Sequence, residues 1–402
     1  MHTSTTDMDS AAAAFTPQPA APLRAPGPDV EIVIPVYNEE RVLQTSVRRL
    51  HRLLSEQTRF AWRITIADNA SRDATLALAR VLAAELSHVG VLRLEEKGRG
   101  RALRAAWSAS HARVVAYMDA DLSTDLRALE PLVAPLLSGH SEIAIGSRLA
   151  RGACVTRTRK RELISRSYNR ILRTALRARF SDAQCGFKAV RADALPTLLA
   201  AVRDDGWFFD TELLVAAQRR GMRIHEVPVD WVEDADSRVR IVSTALQDLR
   251  GIVRLIAAMP FARFTAIGIA STLAYAALLL ILAGPLGSFA ASTVALTLTA
   301  VTNTAANRRL TFGVRGRAQL GRHHAAGLAV FAVALALTDG ALAVLHRFDH
   351  DPARTLEALV LVVASLCATV TRYVTLRNWV FGGSRRTRDA NATINSRLEE
   401  AR

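Results

Sequence analysis

The chain is predicted to be an α/β domain, built on a mainly parallel sheet with helices on both faces, followed by an all-helical region in a membrane. Three observations predict this. Short apolar runs alternate with stretches of helical period between residues 30 and 148, the pattern of repeated strand-crossover units. Polar turns rich in carboxylates follow those runs. Later, Phe264 to Asn307 contains no charged residue at all, a length that accommodates two bilayer spans.

Composition agrees. The 402 residues are 50% hydrophobic yet carry a formal net charge of +15. That pairing suits a protein facing an anionic surface or anionic ligands from within a membrane. A nucleic-acid binder is the competing reading of the charge, but the arginines are scattered and no recognition motif accompanies them. Lysine occurs only at 97, 160 and 188, so the positive charge is nearly all arginine. Cys154, Cys185 and Cys367 have neither metal-ligand spacing nor a disulfide framework and fit a reducing cytoplasmic face.

Residues 1–28, rich in Ala, Pro, Ser and Thr, are expected to be a disordered lead-in without signal-peptide character. Val30 to Pro35 reads as a buried strand leading to Tyr37-Asn38-Glu39-Glu40, and Val42, Leu43, Val47, Leu50 and Leu53 then recur at helical spacing. Arg63 to Ala67 is the second strand, ending in Asp68-Asn69-Ala70-Ser71-Arg72-Asp73. Val91 to Leu94 is the third, followed by Lys97-Gly98-Arg99-Gly100. Val114-Val115-Ala116 begins the fourth, which delivers Asp119-Ala120-Asp121 to a loop, and Glu142 to Arg148 makes the fifth. Ligands of open α/β sheets bind beyond the carboxyl ends of the strands. Asp119 and Asp121 emerge there with the charge and spacing to hold a hard divalent cation against a diphosphate.

Taken in order and at their spacing, these motifs resemble the nucleotide-sugar-binding domain of family 2 glycosyltransferases, the Rossmann-like GT-A fold. The resemblance runs from about residue 30 to 235. It implies that Pro35, Tyr37, Glu39, Asp68, Lys97 and Asp119 surround the nucleotide and that Asp119, Asp121 and Ser123 carry Mg²⁺ or Mn²⁺. Where relatives acting on lipid phosphates often have Gln, this chain has Ser123, a shorter ligand.

An arginine-rich stretch from Ala150 to Arg179 follows. In polyprenyl-phosphate glycosyltransferases the Arg of a Gly-Ser-Arg motif and an Arg-x-x-x-Ser pair hold the lipid phosphate, and Arg148, Arg161 and Ser165 match. On a helix, Arg161 and Ser165 share a face. Asp182-Ala183-Gln184-Cys185-Gly186-Phe187-Lys188 and Phe209-Asp210-Thr211-Glu212-Leu213 look like the motifs of dolichyl-phosphate glucosyltransferases. Arg238 stands where those relatives commonly have Lys, and completes the expected lipid-phosphate set. Asp121, Asp210 and Glu212 are the expected catalytic carboxylates, the last two as alternatives for orienting the sugar or acting as a base.

Val242, Ala245, Leu246, Leu249, Ile252, Val253 and Ile256 then recur at helical spacing, with Arg240, Gln247, Asp248 and Arg254 on the other side, as in a helix lying on a membrane. Four spans are expected beyond it, the first two divided at Gly284-Pro285-Leu286-Gly287 and the last two near residues 325–345 and 356–376. Arginines at 308, 309, 315, 317 and 322 place the loop between the second and third spans inside. The segments resemble a GtrA-type membrane domain. Asp339 and Arg372 are charges within the expected spans, at depths too different for a direct ion pair.

The expected organisation is a lead-in (1–28), a GT-A domain (29–238), a juxtamembrane amphipathic region (239–260), a four-helix membrane domain (261–382) and a charged tail (383–402). The resemblance implies inverting transfer of one hexose to a polyprenyl phosphate at the cytoplasmic face of the cell (inner or plasma) membrane. UDP-glucose is the preferred donor and GDP-mannose the alternative, self-association is left open, and no nucleic acid is involved. A lipid-linked sugar flippase with an accessory sugar-binding domain is the alternative from another class.

Overall fold

The computed structural model describes residues 27–232, 241–286, 288–314, 320–349 and 354–380. The expected lead-in up to residue 26, Arg238 and the tail from 383 lie outside the described residues. The chain divides into two compact units, Met1–Gly251 and Ile252–Arg402.

The first unit opens with four strand–helix steps: β1 (Val30–Val36), α1 (Leu43–Gln57), β2 (Trp62–Asn69), α2 (Thr75–Glu85), β3 (Val89–Leu94), α3 (Arg99–Ala109), β4 (Val114–Met118) and α4 (Leu129–Leu137). Then come β5 (Ile143–Ser147), β6 (Val155–Thr156), α5 (Arg159–Leu176), β7 (Phe187–Arg191), α6 (Leu195–Leu199), α7 (Phe209–Arg219), β8 (Ile224–Pro228), β9 (Trp231–Val232) and α8 (Ile241–Ala257). Seven strands form one sheet in the order β3-β2-β1-β4-β7-β5-β8, and β6 pairs with β9 apart from it. Strands β1 to β4 run parallel, so all four end at one rim.

The sheet centre is apolar on both faces because helices cover both. Ile32, Ile34, Ile64, Ile66, Val114 and Ala116 are fully buried, together with Leu43, Val47, Leu50 and Leu54 of α1. Each aliphatic chain so buried contributes roughly 1.5–3 kcal/mol of hydrophobic free energy. The apolar face expected for α1 is the face it buries.

In one respect the sheet differs from the sequence reading. Strand β7 is antiparallel to both its neighbours, β4 and β5. Its sequence, Phe-Lys-Ala-Val-Arg, interrupts an apolar run with a charge and so hides the strand. Running against its neighbours, β7 starts at the rim where they end. Residues 182–186 are therefore delivered to the same place as the turns after β1 to β4.

The second unit contains α9 (Pro260–Leu286), α10 (Ser288–Ala306), α11 (Leu320–Phe348) and α12 (Arg354–Thr375), with one π-helical segment after α10 (Asn307–Thr311) and another after α12 (Leu376–Val380). The four helices fall on the four expected spans. Among the described residues one segment, Pro260–Leu282, with mean hydropathy 2.1, is long and apolar enough by length and composition to cross a membrane. Tyr373 packs with Phe264, Phe312 and Leu376, and the Arg372 guanidinium lies 5.7 Å from the Phe264 ring centre. Asp339 falls within α11, and its side chain is outside the described residues.

Candidate active site

The turns after β1 to β4 build one side of the rim, where the sequence places the nucleotide-sugar donor. Asn38 is held in a left-handed conformation (φ 58°). The Asn38 amide donates to Ser71 Oγ (3.0 Å), and its side-chain oxygen accepts from the Arg72 amide (2.9 Å). The Glu39 amide donates to Thr75 Oγ1 at 2.8 Å. The turns carrying Pro35, Tyr37 and Glu39 and carrying Asp68 are thus tied together. Val36 is in register with Asp68, so Tyr37 leaves the sheet beside it.

Asp68 is fully buried, and neither carboxylate oxygen has a hydrogen-bond partner; the nearest cation, Arg93 Nη1, is 3.8 Å away. A buried carboxylate left without donors is costly. The hydroxyls or ring N–H of a nucleoside would supply those donors. Lys97 Nζ rests 3.5 Å above the centre of the Tyr37 ring, and the Gly98 amide donates to Asn69 Oδ1 at 2.7 Å. A Cβ on Gly98 would lie 2.6 Å from the Asp205 carbonyl oxygen, so the lysine turn depends on glycine.

Asp119 and Asp121 follow β4 at the centre of the rim. Arg99 Nη2 donates to Asp119 Oδ1 at 2.8 Å. The same guanidinium stacks over the Trp207 and Tyr117 rings, 4.7 and 5.2 Å from their centres. Low-dielectric surroundings raise the pKa of Asp119, Arg99 opposes this, and the charges of Asp121 and Asp210 add to it. Gly186 presses so close that a Cβ there would fall 1.8 Å from Asp119 Oδ2. Asp121 is exposed and accepts the Ser123 amide at 3.0 Å.

Among the described residues no group of three or more His, Cys, Asp and Glu stands ready for a metal. Two neighbouring carboxylates at an open rim suit Mg²⁺ or Mn²⁺ completed by phosphate oxygens and water, the usual arrangement at nucleotide sites. The donor set fits a shared ion and not a protein-caged one.

The other side of the rim is built from paired charges. Arg148, at the end of β5, grips Asp182 through Nε (2.8 Å) and Nη2 (3.0 Å), and lies 5.4 Å from the centre of the Trp231 ring. Burial alone would raise the Asp182 pKa, but Arg148 reverses that and holds it below the usual carboxylate range. Asp119 is among the charges that raise the Arg148 pKa, so the expected metal side and lipid-phosphate side lie within electrostatic reach. Cys185, fully buried, has its thiol pushed up to about 12 by that burial, which removes it as a nucleophile.

Beneath the rim, fully buried Lys188 donates to Tyr117 Oη at 3.2 Å and to the Cys185 carbonyl, and pairs with Asp210 Oδ1 at 3.3 Å. Tyr117 also donates to Asp210. Asp210 is thereby an internal counter-charge in a nearly closed-off cluster. Glu212, expected beside the sugar or as a base, accepts the Arg203 and Asp204 amides through one carboxylate oxygen at 2.7 and 2.8 Å. Three helical residues after Phe209, it lies back over the turn that enters α7 and satisfies that turn's free amides.

Arg161 and Ser165 share α5 as expected, Arg161 half-buried and Ser165 buried with no hydrogen-bond partner for Oγ. The buried face of α5 reaches the rim through Asn169, which accepts the Ala183 amide at 3.0 Å, and Tyr168, 2.7 Å from Thr211 Oγ1. Arg99, Asp182 and Lys188 are site residues that sequence reasoning quoted inside motifs but gave no role. A lone lysine inside a strand of buried residues was the available signal, because such a charge requires an internal carboxylate.

Comparison with known proteins matches two family models to this chain. The model for glycosyl transferase family 2 matches residues 31–199, and that for the GtrA/DPMS transmembrane domain matches residues 263–381. Glycosyltransferase AglD of Haloferax volcanii is 40% identical over 231 residues, 57% of this chain and 37% of that protein. Dolichyl-phosphate beta-glucosyltransferase ALG5C of Trichomonas vaginalis is 31% identical over 220 residues, 52% of this chain and 65% of that protein. The chain thus spans less than two thirds of either relative. Among solved structures, glucosyl-3-phosphoglycerate synthase from Mycobacterium tuberculosis with UDP aligns at a TM-score of 0.43 and 22% identity, over 57% of this chain and 79% of that one.

Proposed function

We propose that this chain, a family 2 glycosyl transferase domain joined to a GtrA/DPMS transmembrane domain, moves one hexose from a nucleotide sugar to a polyprenyl phosphate of the dolichyl type. UDP-glucose is the donor this reading favours, in keeping with relatives named dolichyl-phosphate beta-glucosyltransferase. The observation that carries the reading is the convergence on one rim of an unpartnered buried Asp68, the Asp119–Asp121 pair and the Arg148 guanidinium.

The acceptor's chemistry limits what the protein must do. A phosphate monoester is already anionic near pH 7. It needs positioning more than deprotonation. That agrees with the enclosure of Asp210 and Glu212. Asp119 and Asp121 would hold Mg²⁺ or Mn²⁺, whose charge stabilises the departing nucleoside diphosphate. Asp68 and Tyr37 hold the nucleoside, Lys97 lies beside the diphosphate, and Arg148 with Arg161 and Ser165 aims the lipid phosphate at the anomeric carbon. A single in-line displacement inverts that carbon and gives a β-linked product. The reaction belongs at the cytoplasmic membrane face, where nucleotide sugars and the lipid head meet.

The test is transfer itself. The purified full chain in lipid nanodiscs is incubated with polyprenyl phosphate, Mg²⁺ or Mn²⁺, and labelled UDP-glucose or GDP-mannose. Label should enter the organic phase from UDP-glucose and stay aqueous in EDTA. Transfer from GDP-mannose alone would replace the donor assignment, and no transfer from either would overturn the reading.

One observation favours the second reading, in which the membrane unit itself handles a lipid-linked sugar. Thr299, Asn303, Asn307 and Thr311 form a buried polar stripe four residues apart along α10 and into the π-helical turn. Asn307 Nδ2 donates to the Asn303 carbonyl at 3.1 Å, and Thr311 Oγ1 donates to Asn307 Oδ1 at 2.9 Å. Polar groups inside a span are functional candidates. Movement of preformed lipid-linked hexose across proteoliposomes without nucleotide sugar would support it.

A further inference from the structure

Helix α8 departs from its sequence reading at one residue. Asp248, expected on the polar outer face, is 4% exposed, whereas Leu246, Leu249 and Val253 of the apolar stripe are 49, 52 and 56% exposed. The helix has turned its carboxylate inward together with Ile252, and has left Leu246, Leu249 and Val253 uncovered. Burying a carboxylate is unfavourable unless something inside receives it. Gln184 does so, its Nε2 donating to Asp248 Oδ2 at 3.1 Å. One helical turn on, a Cβ at Gly251 would lie 2.4 Å from the Phe208 ring. Two of the segments the helix touches are the loop carrying Asp182, Cys185 and Gly186, and the turn carrying Phe208 and Asp210.

We propose that Asp248 is a positioning residue for hexose transfer, a peg by which the juxtamembrane helix holds the Gln184 loop so that Asp182 orients Arg148 and Gly186 backs Asp119. The uncovered row Leu246, Leu249 and Val253 faces lipid, and three residues after α8 the chain enters the apolar helix α9. Seating of the helix on the bilayer is thereby transmitted to both sides of the rim. Asp248 reaches neither donor nor acceptor and acts only through Gln184. Among the described residues the ionisable groups that face it are Asp204, Asp210 and Tyr168, none of them a cation. A neutral side chain with the same acceptor oxygen serves as well as the acid.

The inference rests on the proposed transferase reading, so its test includes a readout independent of turnover. Full-length wild type, Asp248→Ala, Asp248→Asn, Gln184→Ala and the Asp248→Ala/Gln184→Ala double variant are compared in nanodiscs. Three quantities are measured: kcat and KM for transfer, UDP affinity by titration calorimetry, and amide hydrogen exchange of residues 182–188. Asp248→Ala should lower kcat roughly tenfold and speed exchange at 182–188 while leaving UDP affinity unchanged, and the double variant should be no worse than either single one, the coupling expected of residues in contact. Asp248→Asn should restore both kcat and protection. Additive losses in the double variant, or unaltered exchange in Asp248→Ala, would overturn the assignment. If wild type transfers no hexose yet exchange responds as described, the peg stands and the transferase reading falls.

Discussion

The two sides of the rim handle charge in opposite ways. On the expected donor side Asp68 is buried without a hydrogen-bond partner, Asp121 is exposed and Lys97 rests on a tyrosine face, while Asp119 is held by Arg99. On the expected acceptor side the buried charges at the rim are paired, Arg148 with Asp182 and Lys188 with Asp210 and Tyr117. Unpaired groups wait for a ligand, whereas paired groups keep a geometry. Donor-side substitutions should therefore cost activity at little cost to the fold, and acceptor-side ones should cost the fold first.

The largest effect is expected on the acceptor side. Asp182→Ala removes one partner of a buried bidentate pair and strands Arg148, a change worth about 3–5 kcal/mol. Chemical unfolding of the catalytic unit within the full chain measures it. Because Arg148 holds the Asp182 pKa low, the pair's contribution is complete above the ordinary carboxylate range and is lost only as pH falls through the lowered value. A variant as stable as wild type at neutral pH would erase the contrast between the two sides.

On the donor side, Asp121→Asn should reduce metal-dependent transfer by at least about a hundredfold, since a metal clamp supplies several kcal/mol to the transition state. Its unfolding midpoint should stay within the ±0.5 kcal/mol usual for exposed positions. Equal losses in both measurements would mean that Asp121 is structural. Gly186→Ala probes the seam between the sides: its methyl would displace Asp119, and roughly a tenfold to hundredfold loss of kcat is expected from an ångström of misplacement. UDP binding at Asp68 should survive it.

The donor side was the more legible in the sequence. Apolar runs of five to eight residues, each ending in a polar turn, fix parallel strands, and parallel strands bring Tyr37, Asp68, Lys97 and Asp119 to one edge. The acceptor side was legible only as motifs. Strand β7 hid because Lys188 breaks its apolar run, and its antiparallel course, which no local pattern encodes, brings Asp182 to Arg148. The same limit applied to Glu212 and Asp248. Helical periodicity assigns a carboxylate to a face, but the partner that makes burial tolerable, a pair of backbone amides or Gln184, lies outside the helix in sequence.

Asp248 gives the smallest effect and sharpens the contrast furthest, because among the described residues it is a buried acid with no cation to receive it. Burial lifts its pKa to about 7, Gln184 opposes that, and Asp204 and Asp210 reinforce it. The sign is then opposite to that of Asp182. The folded chain binds a proton more tightly than the unfolded one, so stability falls as pH rises from the ordinary carboxylate value towards 7 and is level above it. Asp248→Asn cannot ionise. It should match wild type at and below the ordinary carboxylate value and melt a few degrees higher at pH 8, a shift readable by calorimetry at this size. A melting difference that stays constant from pH 5 to 8 would mean that Asp248 keeps its charge in the fold, and that a cation on another segment of the chain pairs with it after all.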